Sequence, residues 1–182
     1  MSAPSGPGDL YALANEFLAA CVAAVATAPG GPIARAYVSP GPPAWDCEQI
    51  TVHVGGAAYA DTRPLQPPLQ PMFRVADTGN VNLIALTLTI LRCVPVVTGD
   101  GSNLTWPSPL SMDDTAVDII GDLWAVWNYV RKQYADGNLF HEPDGRKREF
   151  IFDPALPLIT QGGFGGWQLQ VRVRLDGYGA VL

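Results

Sequence analysis

Lysine is almost missing from this chain of 182 residues: Lys132 and Lys147 are the only two, and the other basic residues are arginines. Charged residues of both signs make up only 15%, against roughly 25% in an ordinary globular chain. Net charge is -6, whereas a dedicated nucleic-acid binder takes most of its affinity from a basic excess. Specific DNA or RNA binding is therefore disfavoured, although an acidic surface is compatible with nucleic acid passing without sticking. Only two histidines are present, His53 and His141, too few to build a histidine-rich metal centre. The three cysteines, Cys21, Cys47 and Cys93, have no Cys-x-x-Cys spacing, and each is expected to be a reduced, buried thiol.

Uninterrupted apolar stretches are also lacking. The run from Leu10 to Ala28 contains Asn15 and Glu16, so no membrane span is expected. Met1 to Asp9 carries no basic residue, unlike a signal peptide, and a soluble intracellular product is the expectation. Hydrophobic residues nevertheless reach 48%. Little charge with much apolar material means a large core, apolar surface kept for partners, or both.

Residues 1–8 are expected to form a flexible arm, and 9–182 a single domain. Asp9 is a candidate helix cap, followed by Leu10, Leu13, Phe17, Cys21 and Val25 at helical spacing, with Pro29-Gly30-Gly31-Pro32 as the stop. Ile33–Ser39 suits a short strand. Ile50, Val52 and Val54 alternate with Gln49, Thr51 and His53, the pattern of a strand with one buried face, and Gly55-Gly56 marks a bulge or bend. Pro64, Pro67, Pro68 and Pro71 mark a long loop over 61–80. Asn82–Val94 reads as a central strand with Ile84, Leu86, Leu88 and Ile90 on one face, and a second Pro-rich loop follows from Pro95 to Leu110.

Ser111 with Asp114 three residues on resembles a capping box. Ala116, Ile120, Leu123, Trp127, Val130 and Tyr134 then give a helical stripe expected to pack on the sheet, and Gly137 ends it. Trp124, Trp127 and Tyr134 are expected in the core. Glu149–Phe152 is a short strand, and Trp167–Leu175 alternates apolar residues with Gln168, Gln170, Arg172 and Arg174. Gly162–Gly166 suits a tight turn. Helices do not alternate regularly with strands. The predicted fold is therefore α+β, a mainly antiparallel β-sheet with two α-helices packed on one face and long Pro-rich loops.

Chemistry is sparsely signalled. No Gly-x-Ser-x-Gly elbow occurs. The glycine run precedes a strand rather than a helix, unlike a phosphate loop. Cys47, His53 and Cys93 could meet on adjacent strands, but no metal or cofactor is expected. Asp114, Asp118 and Asp122 lie four apart and so share a helix face, open to water or to a basic partner. Arg172 and Arg174 could meet acidic residues of a neighbouring subunit.

The order of elements, carried by Asp9–Thr27, Gln49–Val54, Asn82–Val94, Asp113–Tyr134 and Trp167–Gly177, resembles the tail terminator proteins of long-tailed phages. That resemblance implies a non-enzymatic virion protein of the tail or neck, present in host cytoplasm during assembly. It further implies a homo-oligomeric ring, a hexamer, that caps the tail tube. Its partners would be the tail tube protein and a head-tail connector or stopper, with genome DNA passing through the lumen unbound. Asp61–Asn80 and Thr98–Leu110 would be docking loops. Candidate interface residues are Phe73, Arg74, Trp106, Asp114, Asp118, Gln168, Gln170, Arg172 and Arg174. The alternatives are another neck or minor tail protein or, from a different class, a small-molecule-binding domain or enzyme with a pocket lined by Asp118, Asp122 or His53.

Overall fold

A computed structural model describes residues 7–59, 81–100, 103–141, 145–161 and 163–175. Two helices pack on one face of a six-stranded, mostly antiparallel sheet. The elements are α1 (Pro7–Val25), β1 (Arg35–Ser39), β2 (Gln49–Tyr59), β3 (Val81–Cys93), α2 (Pro109–Ala135), β4 (Phe150–Phe152), β5 (Leu156–Gln161) and β6 (Phe164–Arg174). The sheet order is β1-β2-β3-β6-β4, with β5 also pairing with β6. Only β1 and β2 run parallel. The order of elements yields the expected α+β class, with one strand more than the sequence pattern suggested.

The period-two strands fold as their alternation dictates. Ile50, Val52, Ile84, Leu86, Leu88, Ile90, Leu169, Val171 and Val173 point to the helices and form the core with Leu13, Phe17, Cys21 and Val25 of α1. Burial pushes the Cys21 thiol well above its ordinary pKa, so it stays protonated inside. The expected bulge at Gly55-Gly56 is present as a register shift between Val54 and Gly56. A Cβ at Gly55 would come within 2.6 Å of the Thr87 hydroxyl, so the β2–β3 ladder there needs glycine.

Boundaries differ in instructive ways. α1 starts at Pro7, which places Asp9 in its first turn rather than at the cap; proline tolerates that position because its missing N–H would be unpaired anyway. α2 starts at Pro109, not Ser111: Ser108 is the cap, its hydroxyl accepting from the Ser111 N–H at 3.1 Å. At the other end Gly137, with φ of +83°, turns the chain as expected. β5 was not expected because Pro157 interrupts its pattern; it is an edge strand, where a missing N–H costs little. The loop 61–80, with Phe73 and Arg74, lies outside the described residues, as does most of the expected arm.

α2 packs chiefly on α1 and touches β3 and β6 more sparingly. This explains why the expected stripe is split. Trp127 stacks on Phe152 and Tyr134 meets Phe150 edge-on, as expected of core residues. Val126 and Val130 are fully buried. Ala116 is exposed, and Ile120 and Trp124 are 60% and 67% exposed, on the opposite side of the helix.

Candidate interaction surface and the buried ion pair behind it

β3 ends with a charge where its inward row continues. Ile84, Leu86, Leu88 and Ile90 are followed on the same face by Arg92, which is 4% exposed. Its guanidinium grips Asp122 of α2 in a two-pronged pair, Nε to Oδ2 at 2.8 Å and Nη2 to Oδ1 at 2.9 Å. It also donates to the carbonyls of Gly30 at 3.0 Å and Gly31 at 2.6 Å, and reaches Glu48 at 3.3 Å. The hydrogen bonds to Asp122 hold the Arg92 proton more tightly than usual. Burial pushes the Asp122 carboxyl up, and the guanidinium pulls it back. One arginine thus ties together the α1–β1 turn, the start of β2, the end of β3 and the middle of α2. A Cβ on Gly30 would fall 2.9 Å from the guanidinium carbon, so the turn is glycine because the arginine lies against it.

The acidic row therefore does not present one solvated face. Asp114 is exposed, Asp118 is half-buried and Asp122 is fully buried, as the row winds from solvent towards Arg92. Trp167 adds a second tie from sheet to helix, its indole N–H donating to the Ile119 carbonyl at 2.9 Å.

Next to Arg92, Cys93 forms a disulfide with Cys47, their Cα atoms 4.7 Å apart. This corrects the expectation of three reduced thiols. The register explains it: Gln49 pairs with Leu91, so Cys47 and Cys93 fall opposite each other two residues beyond. His53 stays apart from that pair, and among the described residues no group of His, Cys, Asp and Glu could hold a metal.

The far face of the sheet is polar but largely buried in its centre. Thr51, Thr89 and His53 are nearly inaccessible, and Thr51 Oγ1, Thr89 Oγ1 and His53 Nδ1 have no hydrogen-bond partner among the described residues. Burial lowers the His53 pKa below 6.5. Gln168 and Gln170 sit beside them, half-buried, Gln170 reaching Thr87 at 3.5 Å. Arg172 and Arg174 have acidic partners in their own chain: Arg172 clamps Asp153 with contacts of 2.6–3.1 Å, and Arg174 meets Glu149 at 2.7 Å. Both pairs pin β6 to the β4 edge, so the two arginines serve this chain's own sheet.

What remains open to a partner is apolar. Val94, Pro95, Val96, Val97, Trp106, Pro107, Met112 and Gly163 line an open groove of about 410 Å³. Its walls come from the loop after β3, which folds back on itself through paired backbone hydrogen bonds between Thr98 and Thr105. Trp106 is 71% exposed, and Leu104, Val96 and Val97 are exposed beside it. Next to Gly163, Phe164 packs edge-on against Trp45. Of the candidate interface residues, then, Trp106 lies in this surface and Asp114 and Asp118 lie on the helix leading from it. The sequence signal for the groove was the loop tryptophan among prolines; Arg92 was signalled only by being the lone charge on the inward row of β3.

Compared with protein-family models, curated proteins and solved structures, the chain matches none of them.

Proposed function

We propose that this is a virion assembly protein of the phage tail terminator type, a subunit that forms a ring at the end of the tail tube. One observation carries the reading: the loop expected to dock a partner, Thr98–Leu110, presents an apolar groove with a largely exposed tryptophan. Trp is the residue type most often found carrying binding energy at protein interfaces. An open groove without charged groups in its lining suits a protein side chain better than a polar metabolite. The pocket that would have favoured an enzyme is not supported, since Asp122 is neutralised by Arg92 and His53 lies on the other face of the sheet. The disulfide fits a protein whose working life is spent outside a reducing cytosol, as in a released particle.

In this reading the neighbouring subunit or the tail tube protein fills the groove, and the expected docking loop Asp61–Asn80 serves a second partner. The test is assembly. Purified protein added to polymerising tail tubes should stop elongation and appear as a ring at tube ends in electron micrographs, and Trp106→Glu should abolish both. Tubes that elongate unchanged and carry no ring would overturn the proposal.

A further inference from the structure

α2 shows a second apolar surface, which meets the groove only at Met112. Met112, Val117, Ile120 and Trp124 are 41%, 57%, 60% and 67% exposed. With Ala116 they make a continuous ridge along about three turns of helix. A folded chain does not ordinarily leave such a row in water: single exposed apolar residues need no explanation, but contiguous ones mark contact sites. Taking an aromatic side chain at about 150–250 Å² and aliphatic ones at about half that, scaled by these exposures, the ridge with Leu110 exposes on the order of 400 Å². Two copies facing each other would bury roughly 800 Å², the size of a weak, concentration-dependent contact.

The charges flanking the ridge select the partner. From Cys93 to Val130 the sequence has no Lys, Arg or His. The exposed face begins with Asp113 and ends with Arg131, the first cation of the helix, both exposed. They stand on the same side, spaced 113, 117, 120, 124, 128, 131, about 27 Å apart at 1.5 Å per residue. That distance rules out a bond between them within one chain. Laid antiparallel on a copy of itself about a two-fold axis near residue 122, the ridge brings Ile120 against Trp124, and Asp113 against Arg131, twice over. Parallel pairing in register would instead oppose aspartate to aspartate. Self-complementarity of this kind, residue i on j and j on i, is what an isologous contact requires.

We propose that α2 is a homodimerisation helix, pairing antiparallel with α2 of a second copy through Val117, Ile120 and Trp124 and closed by reciprocal Asp113–Arg131 ion pairs. The contact is independent of the ring reading. A ring needs a head-to-tail contact, for which the Trp106 groove remains available; the two-fold contact joins subunits, or rings, in pairs.

Charge exchange tests it, read by sedimentation over a concentration series. Asp113→Arg or Arg131→Asp alone should weaken dimerisation about tenfold, because each converts two attractions into two repulsions. The double exchange Asp113→Arg/Arg131→Asp should restore it, since the pairs re-form in trans. Trp124→Glu should weaken it at least 100-fold, as it buries a charge in the seam of both copies; circular dichroism should show an unchanged fold, because Trp124 touches little of its own core. In the Trp106→Glu background the dimer should persist, which separates this contact from the groove. A double exchange no tighter than the single variants, or a Trp124→Glu protein that dimerises like the wild type, would overturn the proposal.

Discussion

Removing the Asp122 carboxylate is the sharpest test of how this fold is held. Asp122→Ala would leave the Arg92 guanidinium, 4% exposed, without the partner that takes two of its hydrogen bonds. Breaking a buried pair in this one-sided way costs about 3–5 kcal/mol, because the surviving charge stays desolvated and uncompensated. That is a fifth or more of the total stability of a typical domain, about 5–15 kcal/mol. Arg92→Met should cost a similar amount, as it orphans the Asp122 carboxylate and the carbonyls of Gly30 and Gly31 together. The double variant Arg92→Met/Asp122→Leu removes both charges and leaves only the two carbonyls to be satisfied, at about 1–3 kcal/mol each if they stay dry. It should therefore be more stable than the sum of the singles predicts, with a coupling energy of about 2 kcal/mol or more. Urea unfolding monitored by fluorescence would measure this, provided the slope with denaturant is unchanged. Additive losses, or a single variant costing under about 1 kcal/mol, would refute the view that one arginine fastens α2 to the sheet.

Reducing the Cys47–Cys93 bond, which closes a sequence separation of 46 residues, should lower stability by about 2–4 kcal/mol, measured as the shift in urea midpoint with and without dithiothreitol. His53 should make stability fall with acid. Its folded pKa lies below the 6.5 of the free side chain because burial disfavours the cation, so the unfolded chain takes up the proton first. The contribution is full above about pH 6.5 and declines as pH drops from there through the lowered folded value. His53→Gln should remove that slope from a plot of unfolding midpoint against pH, and an unchanged slope would show that other groups produce it.

Much of the sheet was legible because period-two alternation has one interpretation once a face is apolar. Ile84, Leu86, Leu88 and Ile90 point inward as their spacing requires. α2 was harder. Its apolar residues occupy two sides, so rows spaced by three and four can be threaded to Val130 through Ile120 and Trp127 or through Ile119 and Val126 with equal regularity. What decides is Asp122, which the pattern places in solvent and Arg92 draws inside. A pairing 30 residues apart in sequence leaves no trace in local periodicity. The Cys47–Cys93 bond was hidden for the same reason, since it depends on the β2–β3 register and not on spacing. Arg172 and Arg174 were correctly placed on the polar face, but their partners come from the short β4 segment and its flanks, whose pairing no alternation announces. Trp106 was visible as a loop tryptophan; that valines 96 and 97 and Met112 gather round it follows from the turn back at Thr98 and Thr105.

The account rests on the apolar surfaces of this chain being covered by protein. Hydroxyl-radical footprinting across a concentration series tests that directly, because Trp106 and Trp124 are the two most exposed indoles, at 71% and 67%. Both should be oxidised readily in dilute solution and become protected as concentration rises, in step with growth of the native mass beyond the 19.4 kDa of one chain. Two tryptophans that remain fully reactive at every concentration, on a particle that stays a single chain, would contradict it.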